Sequence, residues 1–211
     1  MNISSGFIST KKTARYFILG ELTDNTPEIW IVLHGYAQLA SDFIKPFEAI
    51  ATPERVIVAP EGLNRFYAKG FGGKAVATWM TSESREDEIR DYIAYLNTLC
   101  ISLNLQNRSS KIVLLGFSQG VATATRWLNQ TTLPISKLII YAGDIASELQ
   151  NPISPKLLTI PIVYITGTHD NLISIDKLSS FKLLMKTLNA TMIEFDGGHE
   201  VKPEVLKTWF T

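Results

Sequence analysis

The sequence of 211 residues has a single cysteine, Cys100, and three histidines. One thiol cannot form an intrachain disulfide, and so few ligand residues leave no zinc-type spacing, so no metal site is expected. An excess of charge is missing too. Lys plus Arg and Asp plus Glu number 20 each, and nothing basic is clustered. That balance argues against nucleic acid or an anionic membrane as the main partner. No apolar run reaches the length of a membrane span, and the first twenty residues are polar where a signal peptide needs an apolar core. The expectation is a soluble, cytoplasmic protein without integral membrane association. Tandem repeats, low-complexity tracts and linkers are also absent. The hydrophobic content of 45% suffices for one α/β domain spanning residues 1–211. Nothing in the pattern specifies an oligomeric state.

Short apolar runs alternate with helical patterns along the chain. ARYFILGE suggests an early strand. The runs IWIVLH (29–34), RVIVAP (55–60), KIVLLGF (111–117), KLIIYAG (137–143), PIVYITG (161–167) and TMIEFDGG (191–198) have the length of buried strands. Helices are expected from Ser41-Asp42 through Ala51, from Glu83 to Leu105, after Ser118, near 175–189 and near 203–210. In the longest of these, Ile89, Ile93, Leu96, Cys100 and Leu103 share one face, which makes Cys100 a core residue. The stretch from 61 to 80 reads as a loop rich in glycine and aromatics. Such alternation implies about seven mostly parallel strands with helices on both faces and no large lid domain. Ligands of open sheets of this kind bind beyond the carboxyl ends of the strands.

The most informative stretch is Gly116-Phe117-Ser118-Gln119-Gly120. A buried strand precedes it and a helical pattern follows, which is the context of a nucleophile elbow. The flanking glycines permit a cramped, strained turn, and the helix N-terminus favours a developing negative charge beside Ser118. A serine hydroxyl needs a base, an acid to orient that base, and donors for the oxyanion. His199, in Gly197-Gly198-His199-Glu200 after the last strand, is the preferred base. His169 and His34 are the alternatives, each otherwise a hydrogen-bonded structural residue. Asp170, in Gly167-Thr168-His169-Asp170, is the preferred acid because it follows the strand nearest His199. Asp144 also satisfies the chain order and remains open, although it suits a helix cap. Asp176 fits the first turn of its helix and Asp196 the turn before His199. The oxyanion donors are expected to be the backbone N–H groups of Gln119 and of Tyr36, in the loop after His34-Gly35.

With LHGY, GFSQG, GTHD and GGHE placed, residues 29–210 resemble the α/β-hydrolase superfamily, and within it the phospholipase/carboxylesterase family that includes the acyl-protein thioesterases. The resemblance rests on Phe before and Gln after the serine, on LHG closing the early strand, and on GGHE before a short last helix. It implies a serine esterase or thioesterase without cofactor, with Ser118, Asp170 and His199 as the triad and Tyr36 and Gln119 as backbone oxyanion donors. Two departures matter. Tyr36-Ala37 stands where the family usually has Leu-Gly, and the Trp-bearing segment before the long helix does not reproduce the run typical of the acyl-protein thioesterases. A protein-depalmitoylating role is therefore not carried over.

The expected reaction is hydrolysis of short-to-medium acyl esters, with thioesters or lysophospholipids as related small-molecule substrates, through an acyl-enzyme. Trp79, Phe71 and Met80, on the sheet end that bears Ser118, are the substrate-pocket candidates, the alternative being a local hydrophobic cluster that pins the long loop. The alternatives are a peptidase or other hydrolase on the same scaffold, or a binding protein that keeps the fold without catalysis.

Overall fold

The computed structural model describes residues 3–172 and 175–211, with side chains described throughout except at 175–178. Its strands are β1 (Tyr16–Leu19), β2 (Glu28–Leu33), β3 (Arg55–Pro60), β4 (Asn64–Tyr67), β5 (Ala75–Thr78), β6 (Lys111–Phe117), β7 (Ile135–Tyr141), β8 (Ile162–Gly167) and β9 (Thr191–Phe195). The helices are α1 (Ala40–Phe43), α2 (Arg85–Ser102), α3 (Gln119–Gln130), α4 (Pro155–Thr159), α5 (Ile175–Thr187) and α6 (Pro203–Phe210). Seven strands form one sheet in the order β1-β3-β2-β6-β7-β8-β9. Only β1 runs antiparallel to its neighbour β3, and the other pairings are parallel. Asp176 falls in the first turn of α5, and its side chain lies outside the described residues.

The period of two in the strands divides the core between the faces. Ile29, Ile31 and Leu33 of β2 point toward a cluster that includes Tyr92, Leu96 and Cys100 of α2, Val121 and Trp127 of α3, and Met185 of α5. Trp30 and Val32 point the other way, toward Phe43 of α1, Phe47, and Val205 and Leu206 of α6. Cys100 is 6% exposed within the first cluster, and burial pushes its thiol pKa up to about 12.

Two stretches differ from the sequence reading. The expected helix from Ser41 to Ala51 is a single α-turn, α1, followed by a 3-10 turn at Lys45–Ala49. Pro46 lacks the N–H that an α-helix would use there, and its ring collides with the preceding turn, so a regular helix cannot pass through it. The expected loop at 61–80 contains a β-hairpin in which β4 pairs antiparallel with β5, placing Phe66 opposite Val76. A bridge between Gln38 and Ala77 joins this hairpin to the segment after β2.

Candidate active site

Ser118 joins β6 to α3 with φ at +53°, a region that side chains other than glycine rarely adopt. Such a conformation costs on the order of 1–3 kcal/mol and persists only where its surroundings hold it. Here the Ser118 N–H donates to the Tyr141 carbonyl at 3.0 Å, and its own carbonyl accepts from Val121 at 3.0 Å. Gly120 allows α3 to approach β2, since a Cβ there would sit 2.2 Å from the Leu33 oxygen.

The loop after β9 returns across the end of the sheet and brings His199 to this turn. Its ring centroid lies 4.9 Å from that of Phe117, the residue before Ser118. The return is pinned by Lys202, whose N–H donates to Tyr141 Oη at 3.1 Å and whose Nζ donates to the Asp196 carbonyl at 2.6 Å. His199 Nδ1 is 2.7 Å from Asp170 Oδ2. With Asp170 ionised, Nδ1 carries the hydrogen and Nε2 is left as the acceptor. The Asp170 side chain is 2% exposed, and its other oxygen accepts from the Leu172 N–H at 3.0 Å. The alternative acid and one alternative base are less enclosed. Asp144 is exposed. His169 is also exposed and sits 3.1 Å from Asp196.

His34, the third histidine, is fully buried at the end of β2. Its Nδ1 lies 2.7 Å from the Gly35 carbonyl, and its Nε2 accepts from the Gly62 N–H at 2.9 Å. Burial lowers its pKa from the usual 6.5 to about 4, against partly offsetting contributions from the Gly35 carbonyl and the charge of Glu61. The loop that follows carries Tyr36, which is 56% exposed and packs its ring on Phe66 at 5.4 Å. Gly35 lies against the elbow, because a Cβ there would come within 3.2 Å of Ser118 Cβ. The Gly35 N–H donates to Gln38 Oε1 at 2.8 Å.

The Gln119 side chain has a part that the sequence reading missed. Its Oε1 accepts from Thr78 Oγ1 at 2.9 Å and from the Trp79 N–H at 3.1 Å, while its Nε2 donates to the Met80 carbonyl at 2.8 Å. One amide thus ties the first residue of α3 to three consecutive residues, Thr78 at the end of the hairpin and Trp79 and Met80 after it. Sequence offers only a weak signal for this. Gln is one of the few side chains that can both donate and accept, and it stands beside a segment that must be held.

The three pocket candidates are not brought together. Trp79 is 1% exposed; its indole N–H donates to the His34 carbonyl at 2.8 Å and its ring stacks on His34 at 5.0 Å. A side chain so enclosed supports the loop and cannot line a surface cleft. Phe71 is fully exposed in the connection between β4 and β5, flanked by Gly70 and Gly72 at positive φ. Met80 is half-buried, with its sulfur 3.7 Å from Arg126 Nη1. The cleft that contains His199 opens on another side. It measures about 370 Å³ and is bordered by Leu39, Phe43, Pro46, Val76 and Val201, with Asp42, Lys74 and Glu200 as charged members. Asp42 accepts from Lys45 at 2.8 Å and from Lys74 at 2.6 Å, bonds that lower its pKa to about 2. A larger depression of about 640 Å³, lined by Leu183 and Met192 among others, lies away from these residues between α5 and β9.

Among the described residues no group of His, Cys, Asp and Glu is placed to hold a metal ion, and no helix is long and apolar enough to cross a membrane. Glu61 is a buried carboxylate with another task. Burial would raise its pKa, but hydrogen bonds from Arg15, Arg65 and the Ala40 N–H outweigh that and leave it lowered.

The family described as phospholipase/carboxylesterase matches residues 21–209 of this chain. A comparison with curated proteins finds no match. Among solved structures, the chain is similar to Zea mays acyl-protein thioesterase 2, with a TM-score of 0.68 and 19% identity over 93% of this chain and 97% of that one. It is similar to a phospholipase/carboxylesterase from Dyadobacter fermentans, with a TM-score of 0.67 and 14% identity over 96% and 98% of the two chains. The Bacillus cereus carboxylesterase gives a TM-score of 0.62 and 15% identity, with 93% of each chain covered. At such identities the likeness is one of fold, the α/β-hydrolase fold.

Proposed function

The chain belongs to the phospholipase/carboxylesterase family, and from that premise we propose that it is a serine carboxylesterase acting on short-to-medium acyl esters, with thioesters and lysophospholipids as related substrates. The observation that carries this reading is the 2.7 Å contact between His199 Nδ1 and the buried Asp170 carboxylate, beside the strained turn at Ser118.

In this mechanism His199 Nε2 takes the Ser118 proton as the hydroxyl attacks the acyl carbonyl. Asp170 holds the imidazole in the tautomer that leaves Nε2 free and stabilises the imidazolium that forms. The N–H groups of Tyr36 and Gln119 stabilise the oxyanion. The imidazolium then passes its proton to the leaving alcohol or thiol as the carbon–heteroatom bond breaks. Water, deprotonated by the same imidazole, releases the acid from the acyl-enzyme. His199 must be neutral to act as the base. The cleft of about 370 Å³ beside His199, with Leu39, Phe43, Pro46, Val76 and Val201 on its walls, supports a small-molecule acyl ester as substrate.

Incubation with a fluorophosphonate, followed by peptide mapping, tests the reading: labelling is expected at Ser118. Folded protein that stays unlabelled and does not hydrolyse p-nitrophenyl acetate would defeat it. A p-nitrophenyl ester series from acetate to palmitate, run beside an acyl-CoA and a peptide amide, identifies the acyl length and the leaving group.

A further inference from the structure

The peptide group joining Gly35 to Tyr36 carries two functions at its opposite ends. Its carbonyl meets the His34 imidazole at 2.7 Å. Its N–H is the oxyanion donor of the proposed mechanism, and among the hydrogen bonds of the described residues none uses it. In a trans peptide the C=O and N–H point in opposite directions. Whatever holds the oxygen therefore sets the direction of the hydrogen.

His34 is built to hold that oxygen. A carbonyl only accepts and a backbone amide only donates, so contacts from Nδ1 to the Gly35 oxygen and from the Gly62 N–H to Nε2 fix the proton on Nδ1. The ring has no freedom to do otherwise. It is fully buried, stacks on Trp79 at 5.0 Å and meets Phe43 edge-on at 6.4 Å. The Trp79 beneath it is itself held by Gln119 Oε1. On the other side of the loop, Gln38 Oε1 takes the Gly35 N–H at 2.8 Å.

We infer that His34 is a positioning residue for the oxyanion site: its Nδ1–H aims the Gly35–Tyr36 peptide so that the Tyr36 N–H faces the acyl oxygen at Ser118, and polarises that donor. The inference rests on the esterase reading. It assigns His34 a purpose beyond filling space under the loop, because a hydrogen bond to one end of an amide strengthens the donor at the other end. A preset donor needs no reorganisation when negative charge develops.

Three substitutions separate the two bonds of the ring. His34→Asn places an N–H near the position of Nδ1 and has nothing at Nε2. His34→Gln places its amide near Nε2 and leaves the Gly35 carbonyl without a donor. His34→Leu removes both. The expected result with a p-nitrophenyl ester is a loss of kcat of about 100-fold in the Gln and Leu variants, with KM changed less than about threefold. The Asn variant stays within about tenfold of wild type. Affinity for a trifluoromethyl ketone, which forms an oxyanion adduct with a serine nucleophile, should fall in parallel with kcat. Equal losses in the Asn and Gln variants, or activities that follow the urea midpoints, would overturn the inference. If a variant does not fold, wild-type NMR decides: on adduct formation the Tyr36 amide and His34 Nδ1–H resonances should both move downfield. A His34 resonance that stays in place while Tyr36 moves also overturns it. Unchanged kcat and fluorophosphonate labelling in the Gln variant would remove this inference and leave the esterase reading standing. Wild-type protein without labelling or turnover would remove both.

Discussion

A carboxylate orients an imidazole only if it is close, screened from water and itself held. Asp170 meets these conditions, being 2.7 Å from His199 and 2% exposed, with its second oxygen taken by the Leu172 N–H. Asp144 is exposed at the end of the neighbouring strand. Asp170→Asn is therefore expected to lower kcat by about 10³–10⁴-fold, because the amide favours the wrong imidazole tautomer. Asp144→Asn should change kcat by only a few-fold, and an ester assay on the two variants decides between the two acids. His34 gives a second residue-scale expectation, in stability. Its pKa drops from 6.5 to about 4 on folding. The ring is neutral in both states above 6.5, so its full contribution is present there. As pH falls from 6.5 toward 4, only the unfolded chain takes up the proton, and about 3 kcal/mol of stability is lost. Urea unfolding at pH 7 and pH 4 should show wild type losing about that much more than His34→Asn, since carboxylate contributions are common to both. What the sequence could not reveal about His34 is its bonding. LHGY marks a strand end and a loop, but which ring nitrogen meets which backbone group depends on Gly62, which is distant in the chain.

Strands were the most legible elements, because a strand buried on both faces reads as an unbroken apolar run, as β2, β3 and β6 do. The hairpin β4–β5 was not legible. Its strands have four residues each, the connection holds three glycines, and its apolar positions lack a sustained period. The role of Trp79 was ambiguous in the sequence for a related reason. Aromatic side chains in a loop are equally suited to lining a cleft and to anchoring the loop, and Trp79 does the second through its indole N–H. The cleft draws Phe43 from α1, Leu39 and Pro46 from either side of it, Val76 from β5 and Val201 from the His199 loop, which touch only in the folded chain. The junction of α3 with the hairpin supplies a prediction of its own. Gln119→Leu removes three hydrogen bonds and leaves the Trp79 N–H and Met80 carbonyl without these partners. A stability loss of about 1–3 kcal/mol is expected by urea unfolding, together with a fall in kcat. Gln119→Glu, which keeps the acceptor for Thr78 and Trp79, should lose less.

Over the whole molecule, one carboxylate fastens the segment before β1 to the region of the site. Glu61 takes Arg15, Arg65 and the Ala40 N–H together, so the segment before β1, the hairpin and α1 share one anchor. The sheet itself places the three groups of the proposed mechanism after strand ends: Ser118 after β6 and, on the far side of β7, Asp170 after β8 and His199 after β9. Cys100 lies inside the cluster between α2 and the sheet. Being the only thiol, shielded and held far from its thiolate form, it can be alkylated only when that cluster opens. Reaction with a disulfide reagent such as dithionitrobenzoate should be negligible in the native protein over minutes and should speed up with urea in step with the unfolded fraction. Fast labelling without urea would mean that α2 detaches while the rest stays folded. The chain thus carries a built-in timer for the breathing of its interior, read from the colour of the released thiolate without any attached probe.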